Sequence, residues 1–194
     1  MEKAVDKKPI PRMQEKYFQE VVPSLQEKFK ITNPMAVPRL KKIVVNMGVG
    51  EAIQDIKLLE SASSDMEKIT GQKPSVRRSR VAISNFKLRK GLPVGCKVTL
   101  RRAKMYEFLD RFINVCLPRI RDFRGVSRKA FDRFGNYSIG ISDQAIFPEI
   151  ESGQIQRAQG MDITFVFNRG PKESTMELLS QFGMPFRKEQ KKEE

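Results

Sequence analysis

Residues 94–102 read VGCKVTLRR, and their alternation decides the fold. Cys96, Val98 and Leu100 fall on one side of an extended chain, Lys97, Thr99 and Arg101 on the other. An apolar/polar period of two marks a strand buried on one face only. Residues 42–48 (KIVVNMG) repeat the scheme, with Ile43, Val45 and Met47 opposed to Lys42, Val44 and Asn46. Tyr137, Ile139 and Ile141 alternate with Ser138, Gly140 and Ser142, and Ile163, Phe165 and Phe167 define a last strand. Pro74 to Val81 supplies a short one.

Helical periods fill the gaps. Met13, Tyr17, Val21, Leu25 and Phe29 recur every four positions, with a kink or new start expected at Pro23. Residues 53–70 place Ile56, Leu59, Met66 and Ile69 on one helical face, closed by Gly71 in the position of a C-terminal cap. Met105, Phe108, Leu109, Phe112 and Cys116 form the next helix, which Pro118 should stop. Met176, Leu178, Leu179 and Phe182 form the last, ended by Gly183 and Pro185. The order is helix, then strand–helix–strand–strand–helix–strand, then strand–helix. It predicts an α+β fold: an antiparallel sheet with helices on one face, and a split β-α-β (ferredoxin-like) core. One extra strand and the N- and C-terminal helices complete it. Residues 1–11 read as a flexible arm, 12–187 as a single domain and 188–194 as a charged tail.

Charge narrows the function. The 194 residues carry 37 Lys and Arg against 23 Asp and Glu, a formal charge of +14. Such an excess repels itself in the compact state and signals a polyanionic partner. No basic amphipathic helix dominates the charge, which favours nucleic acid over a membrane surface. No apolar run reaches the roughly 18 to 20 residues that span a bilayer, and the N-terminus lacks an apolar signal segment, so a cytosolic or organellar protein is expected. Two cysteines, Cys96 and Cys116, and no histidine leave too few ligands for a zinc site. The missing histidine also removes the commonest general base. Neither catalysis, nor a cofactor, nor a metal is expected. An RNA-modifying enzyme would need an acid–base or metal constellation that these motifs do not supply.

Between Glu67 and Glu107 the chain carries twelve cations and no acid. Each cation that neutralises a phosphate releases a condensed counterion. Within this stretch Ser79 to Gly95 is longer than an ordinary hairpin connection of about 2 to 5 residues. Its Arg80, Asn85, Phe86, Lys87, Arg89 and Lys90 suit phosphate contact and base stacking, or else Phe86 and Leu88 tuck into the core edge. With helices on one face of the sheet, the other presents Asn46, Lys97, Thr99 and Arg101. Amide, hydroxyl and cation groups suit phosphate and sugar better than base readout, so structured RNA recognised by shape is the expected target. A third basic region carries Arg119, Arg121, Arg124, Arg128, Lys129 and Arg133. It can meet RNA or an acidic protein, or pair internally, as Arg121 or Arg124 with Asp122. Gly48-Val49-Gly50 between strand and helix mimics a dinucleotide motif, but Ile53 occupies its third glycine position, so a tight turn is the better reading.

The runs VPRLKKIVVNMGVGEA (37–52), ITGQKP (69–74), GLPVGCKVTLR (91–101), LPRIRDFRG (117–125), FDRFGNYSIGI (131–141), IFPEI (146–150), GMDITFVF (160–167) and FGMPFRK (182–188) resemble the bacterial-type large-subunit ribosomal protein five family. The resemblance covers residues 13 to 188. It implies a cytoplasmic ribosomal component of the central protuberance that binds 5S rRNA, beside large-subunit rRNA and neighbouring large-subunit proteins. The family's RNA contacts fall here on Asn46, Gln72 and Thr99. The resemblance also implies that residues 79–91 approach P-site tRNA. It implies an intersubunit bridge to a small-subunit head protein as well, for which 119–135 is the candidate segment. The first eleven residues and the tail after Lys188 extend past the family's usual limits, and Arg77-Arg78 is more basic than its pattern.

Overall fold

The alternating segments become five strands: β1 (Leu40–Gly48), β2 (Ser75–Arg78), β3 (Pro93–Leu100), β4 (Tyr137–Ile141) and β5 (Met161–Phe167). Residues 10–150, 157–168 and 170–187 are described by the computed structural model. The expected tail and the first nine residues of the expected arm lie outside them.

The strands form one antiparallel sheet in the order β2-β3-β1-β5-β4. β3 sits between β1 and β2, as a split β-α-β unit requires. The fourth position, beside β1, belongs to β5, while β4 lies outside it as the extra strand at the edge.

The helical segments are α1 (Arg12–Lys16), α2 (Val22–Phe29), α3 (Ile56–Thr70), α4 (Arg102–Arg111) and α5 (Lys172–Gln181). Their apolar stripes cover one side of the sheet, over Ile43, Val45, Met47, Cys96, Val98, Leu100, Ile163 and Phe165, all buried. Burying each such side chain contributes roughly 1.5–3 kcal/mol. That is why helices and sheet meet along this side.

As expected, a new α-segment starts at Val22 with Pro23 in its first turn, and the helix after β3 stops at Pro118. What the sequence did not show is the wide turn ahead of each proline. Val22, just before Pro23, donates its N–H back to the Tyr17 carbonyl, five residues earlier. Leu117, just before Pro118, does the same to Phe112. Proline has no N–H for the carbonyl four residues back, so the turn ahead of it widens instead of breaking. The first helix therefore runs on from Arg12 to Phe29, and the helix after β3 runs to Cys116 before a tight 3₁₀ turn at Leu117–Arg119.

Ile56 departs from its expected buried face, being 57% exposed. It is the first residue of α3, at the edge of a stripe that runs through Leu59, Ala62, Met66 and Ile69. Gly71 caps α3 with φ 61°, the left-handed conformation that glycine adopts without penalty. Cys96 and Cys116 are free thiols in the core, each pushed up to about 11 by burial.

Candidate nucleic-acid interface

Residues that alternate with the buried ones must point away from the helices. Strand register sets them in rows across the open side. Ser75, Lys97, Asn46, Asp162 and Gly140 form one row. Thr99, Val44, Thr164 and Ser138 form the next. With strands about 4.8 Å apart, five abreast make a surface roughly 20 Å wide. No residue of either row is buried, so the face stands open to solvent.

Its polar groups are largely unspent. Ser138 and Thr164 share a hydrogen bond of 3.1 Å between their hydroxyls. The side chains of Asn46, Lys97, Thr99 and Asp162 make no hydrogen bond or ion pair within the described residues. Donors left free on an exposed sheet are available to an outside partner.

Gln72 and Arg101 stand at the rim. Gln72 lies exposed in the turn that leads into β2, and Ser75 pairs with Lys97, so this turn sits at the Thr99 end of the face. The turn is fixed from two sides. Thr70 Oγ1 lies within hydrogen-bonding distance of the carbonyls of Met66 (2.7 Å) and Gln72 (3.1 Å). Lys104 Nζ donates to the Gly71 carbonyl at 2.9 Å. Lys104, one of the twelve cations, is thus committed to the scaffold. Arg101 is exposed where β3 turns into α4, a sharp corner that holds Arg102 at φ 54°.

The long connection between β2 and β3 is an ordered arm. Ser79 donates its N–H to the Leu92 carbonyl (2.8 Å) and accepts from Gly91 (2.9 Å). Farther out, Ile83 and Leu88 exchange both backbone hydrogen bonds. Phe86 is 71% exposed, so it does not tuck into the core, whereas Leu88 is half-buried. Arg80, Asn85, Lys87, Arg89 and Lys90 are all exposed around it.

The third basic region is equally bare. Arg121 Nε lies 4.0 Å from Asp122, with side chains 98% and 88% exposed, so this pair contributes next to nothing. Asp132 is occupied elsewhere. Slight burial pushes its carboxyl up, but hydrogen bonds from the Asn136 side chain and the N–H groups of Asn136 and Phe134, with Arg133 nearby, outweigh that and hold it below 3.8. Arg119, Arg124, Arg128 and Arg133 are exposed, and none forms an ion pair within the described residues.

Sequence reading did not name Ser75, Thr164 and Asp162 as members of the face. Alternation marks each as outward-facing, but only the strand order sets β5 beside β1 and β4 beside β5. The Gly48–Gly50 turn borders a cavity of about 280 Å³, lined in part by Leu58, Asp65 and Gln144. Burial pushes the Asp65 carboxyl up, against the opposing pull of Lys68 and a hydrogen bond from Gln144. The start of α3 is capped by Asp55, whose carboxylate accepts from Lys57 N–H at 2.9 Å. A phosphate there would meet a carboxylate instead of free N–H groups, which fits a turn and not a dinucleotide site.

Comparison with known proteins gives a consistent result. The family described as "Ribosomal protein L5" matches residues 33–89, and the model for the C-terminus of that same ribosomal family matches residues 93–186. The large ribosomal subunit protein uL5 of Clostridium acetobutylicum is 55% identical over 177 residues, 91% of this chain and 98% of its own. That of Syntrophus aciditrophicus is 56% identical over 178 residues, 92% and 99% of the two chains. That of Prosthecochloris aestuarii is 55% identical over 180 residues, 93% and 92%. These relatives are bacterial, where large subunits are cytoplasmic, in line with the compartment expected above. Matches that run in tandem along the chain, and relatives of nearly equal length at this identity, show that the chain belongs to the ribosomal protein L5 family, structural components of the large ribosomal subunit and not enzymes.

Proposed function

We propose that the open sheet face docks 5S rRNA and helps attach it in the central protuberance of the large subunit. One observation carries this reading: the uncovered face that holds Asn46, Lys97 and Thr99 with their hydrogen-bonding groups unspent. Gln72 and Arg101 extend the contact at the rim. Docking works by shape and charge together. The pleated surface follows a sugar-phosphate contour, and the excess of cations supplies counterion release. Large-subunit rRNA and neighbouring large-subunit proteins then surround the molecule, with residues 12–187 acting as one body.

The arm has a separate task in this proposal. Arg80, Lys87, Arg89 and Lys90 with Asn85 and the exposed ring of Phe86 reach away from the sheet and meet P-site tRNA, cations on phosphate and the ring on a base or ribose. Arg119, Arg124, Arg128 and Arg133, which form no ion pair within the described residues, and Arg121, whose pair with Asp122 is weak, face a small-subunit head protein across the subunit boundary.

A competition gel shift tests the central claim. The full chain should hold labelled 5S rRNA against excess tRNA and against a scrambled RNA of equal length at raised salt. Equal displacement by all three competitors would overturn it.

A further inference from the structure

We infer that Asp162 is a specificity determinant of the sheet face, its carboxylate accepting a hydrogen bond from an N–H or 2′-OH donor of the bound RNA. This rests on the proposed docking of RNA on that face and refines it. Met161 and Ile163 are buried, so the strand alternation turns Asp162 outward. It stands in the same row as Asn46 and Lys97, next to Asn46 on one side and Gly140 on the other.

A carboxylate is out of place on a surface built only for phosphate. It repels the backbone and lowers affinity for RNA in general. Nor does it serve the fold, since it forms no hydrogen bond and no ion pair within the described residues. Lys97 lies two strands away, about 10 Å across the sheet, with Asn46 between them. The remaining flank is bare, because a Cβ at Gly140 would lie 3.5 Å from Asp162 Oδ1, ordinary contact, and glycine leaves that space empty.

An ionised carboxylate can only accept hydrogen bonds. Phosphate has no donor to offer it. The exocyclic amino and imino groups of bases and the ribose 2′-OH do. Lys97 and Asn46 therefore receive the backbone, while Asp162 admits only a stretch of RNA that turns a base edge or a ribose toward β5. The row becomes a donor–donor–acceptor pattern that fixes where along the face the RNA sits.

The test is equilibrium binding of the full chain to 5S rRNA and to a scrambled RNA of equal length, at fixed salt. Asp162→Ala and the near-isosteric Asp162→Asn are compared with wild type, and Glu60→Gln, exposed on α3, controls for net charge. Asp162→Ala should weaken 5S rRNA binding about 10-fold or more and leave the scrambled RNA bound equally or more tightly, so the specificity ratio falls. Asp162→Asn should fall between, and Glu60→Gln should leave the ratio alone. A gain on both RNAs by one factor would mean simple repulsion and overturn the inference. No change on either would overturn it too. Deoxy substitution in 5S rRNA separates the two donors: wild type loses affinity, and Asp162→Ala loses no more, only if the partner is a 2′-OH. Weakened binding in Asn46→Ala and Thr99→Val with an unchanged Asp162→Ala ratio would sink this inference alone. Unchanged binding in those two variants would sink the docking reading itself.

Discussion

Asn46 and Thr99 each offer the partner one hydrogen-bonding side chain that the fold does not use. Asn46→Ala and Thr99→Val should each cost about 1.5–3 kcal/mol of 5S rRNA affinity, as expected for hydrogen bonds to a charged group. Filter binding beside a thermal melt checks this, and the melting temperature should stay put. Asp132 is the opposite case, a surface carboxylate spent on structure. Its three hydrogen bonds hold the loop that enters β4, and Asn136 passes the tie on by accepting from Phe167 N–H at 3.1 Å. Asp132→Ala should therefore destabilise the chain by about 1 kcal/mol. Because the folded carboxyl lies below its ordinary 3.8, its contribution is present above that pH and fades as pH falls through the lower folded value. Denaturant melts of wild type and Asp132→Ala should accordingly converge in acid. At this scale the sequence was most legible where polarity alternates. Asn46, Lys97 and Thr99 followed from their neighbours, whereas nothing local told that Lys104 caps α3 while Lys97 stays free.

Removal of the arm between β2 and β3 should leave the rest of the fold intact. Its base is already closed by the backbone bonds of Ser79 with Gly91 and Leu92. Replacing residues 80–90 with a two-residue Asn-Gly turn suits that hairpin geometry. Binding of 5S rRNA should survive the change, and contact with P-site tRNA on the ribosome should weaken. Loss of 5S rRNA binding in a folded variant would contradict the division between face and arm. Element types were readable from periodicity because burial imposes it. Strand order was not, since it depends on which edges meet in space. The pairing of β5 with β1 brings Asp162 beside Asn46, 116 positions apart in the sequence, and no local pattern announces that. The wide turn ahead of each proline was illegible for a related reason: a lost N–H can be absorbed by such a turn when the packed face on both sides stays buried.

For the whole molecule, a charge of +14 sets how binding responds to ions. If about six to ten phosphates are neutralised, affinity should fall about 10³ to 10⁵-fold between roughly 50 and 200 mM salt. A titration of binding against salt measures the slope directly, and a flat response would mean that the backbone is not the main contact. The layered plan, helices behind and sheet in front, leaves the polar side of the sheet free for a partner while the core closes on the other. Cys96 and Cys116 are sealed in the interior with thiols pushed up to about 11, so at neutral pH neither offers much nucleophilic sulfur. A single Ser84→Cys replacement at the exposed tip of the arm would then take a fluorophore almost alone, with no need to strip the native residues first. Under the proposed contact of the arm with tRNA, the fluorescence of such a probe should change when tRNA binds, and an unchanged signal would speak against that contact.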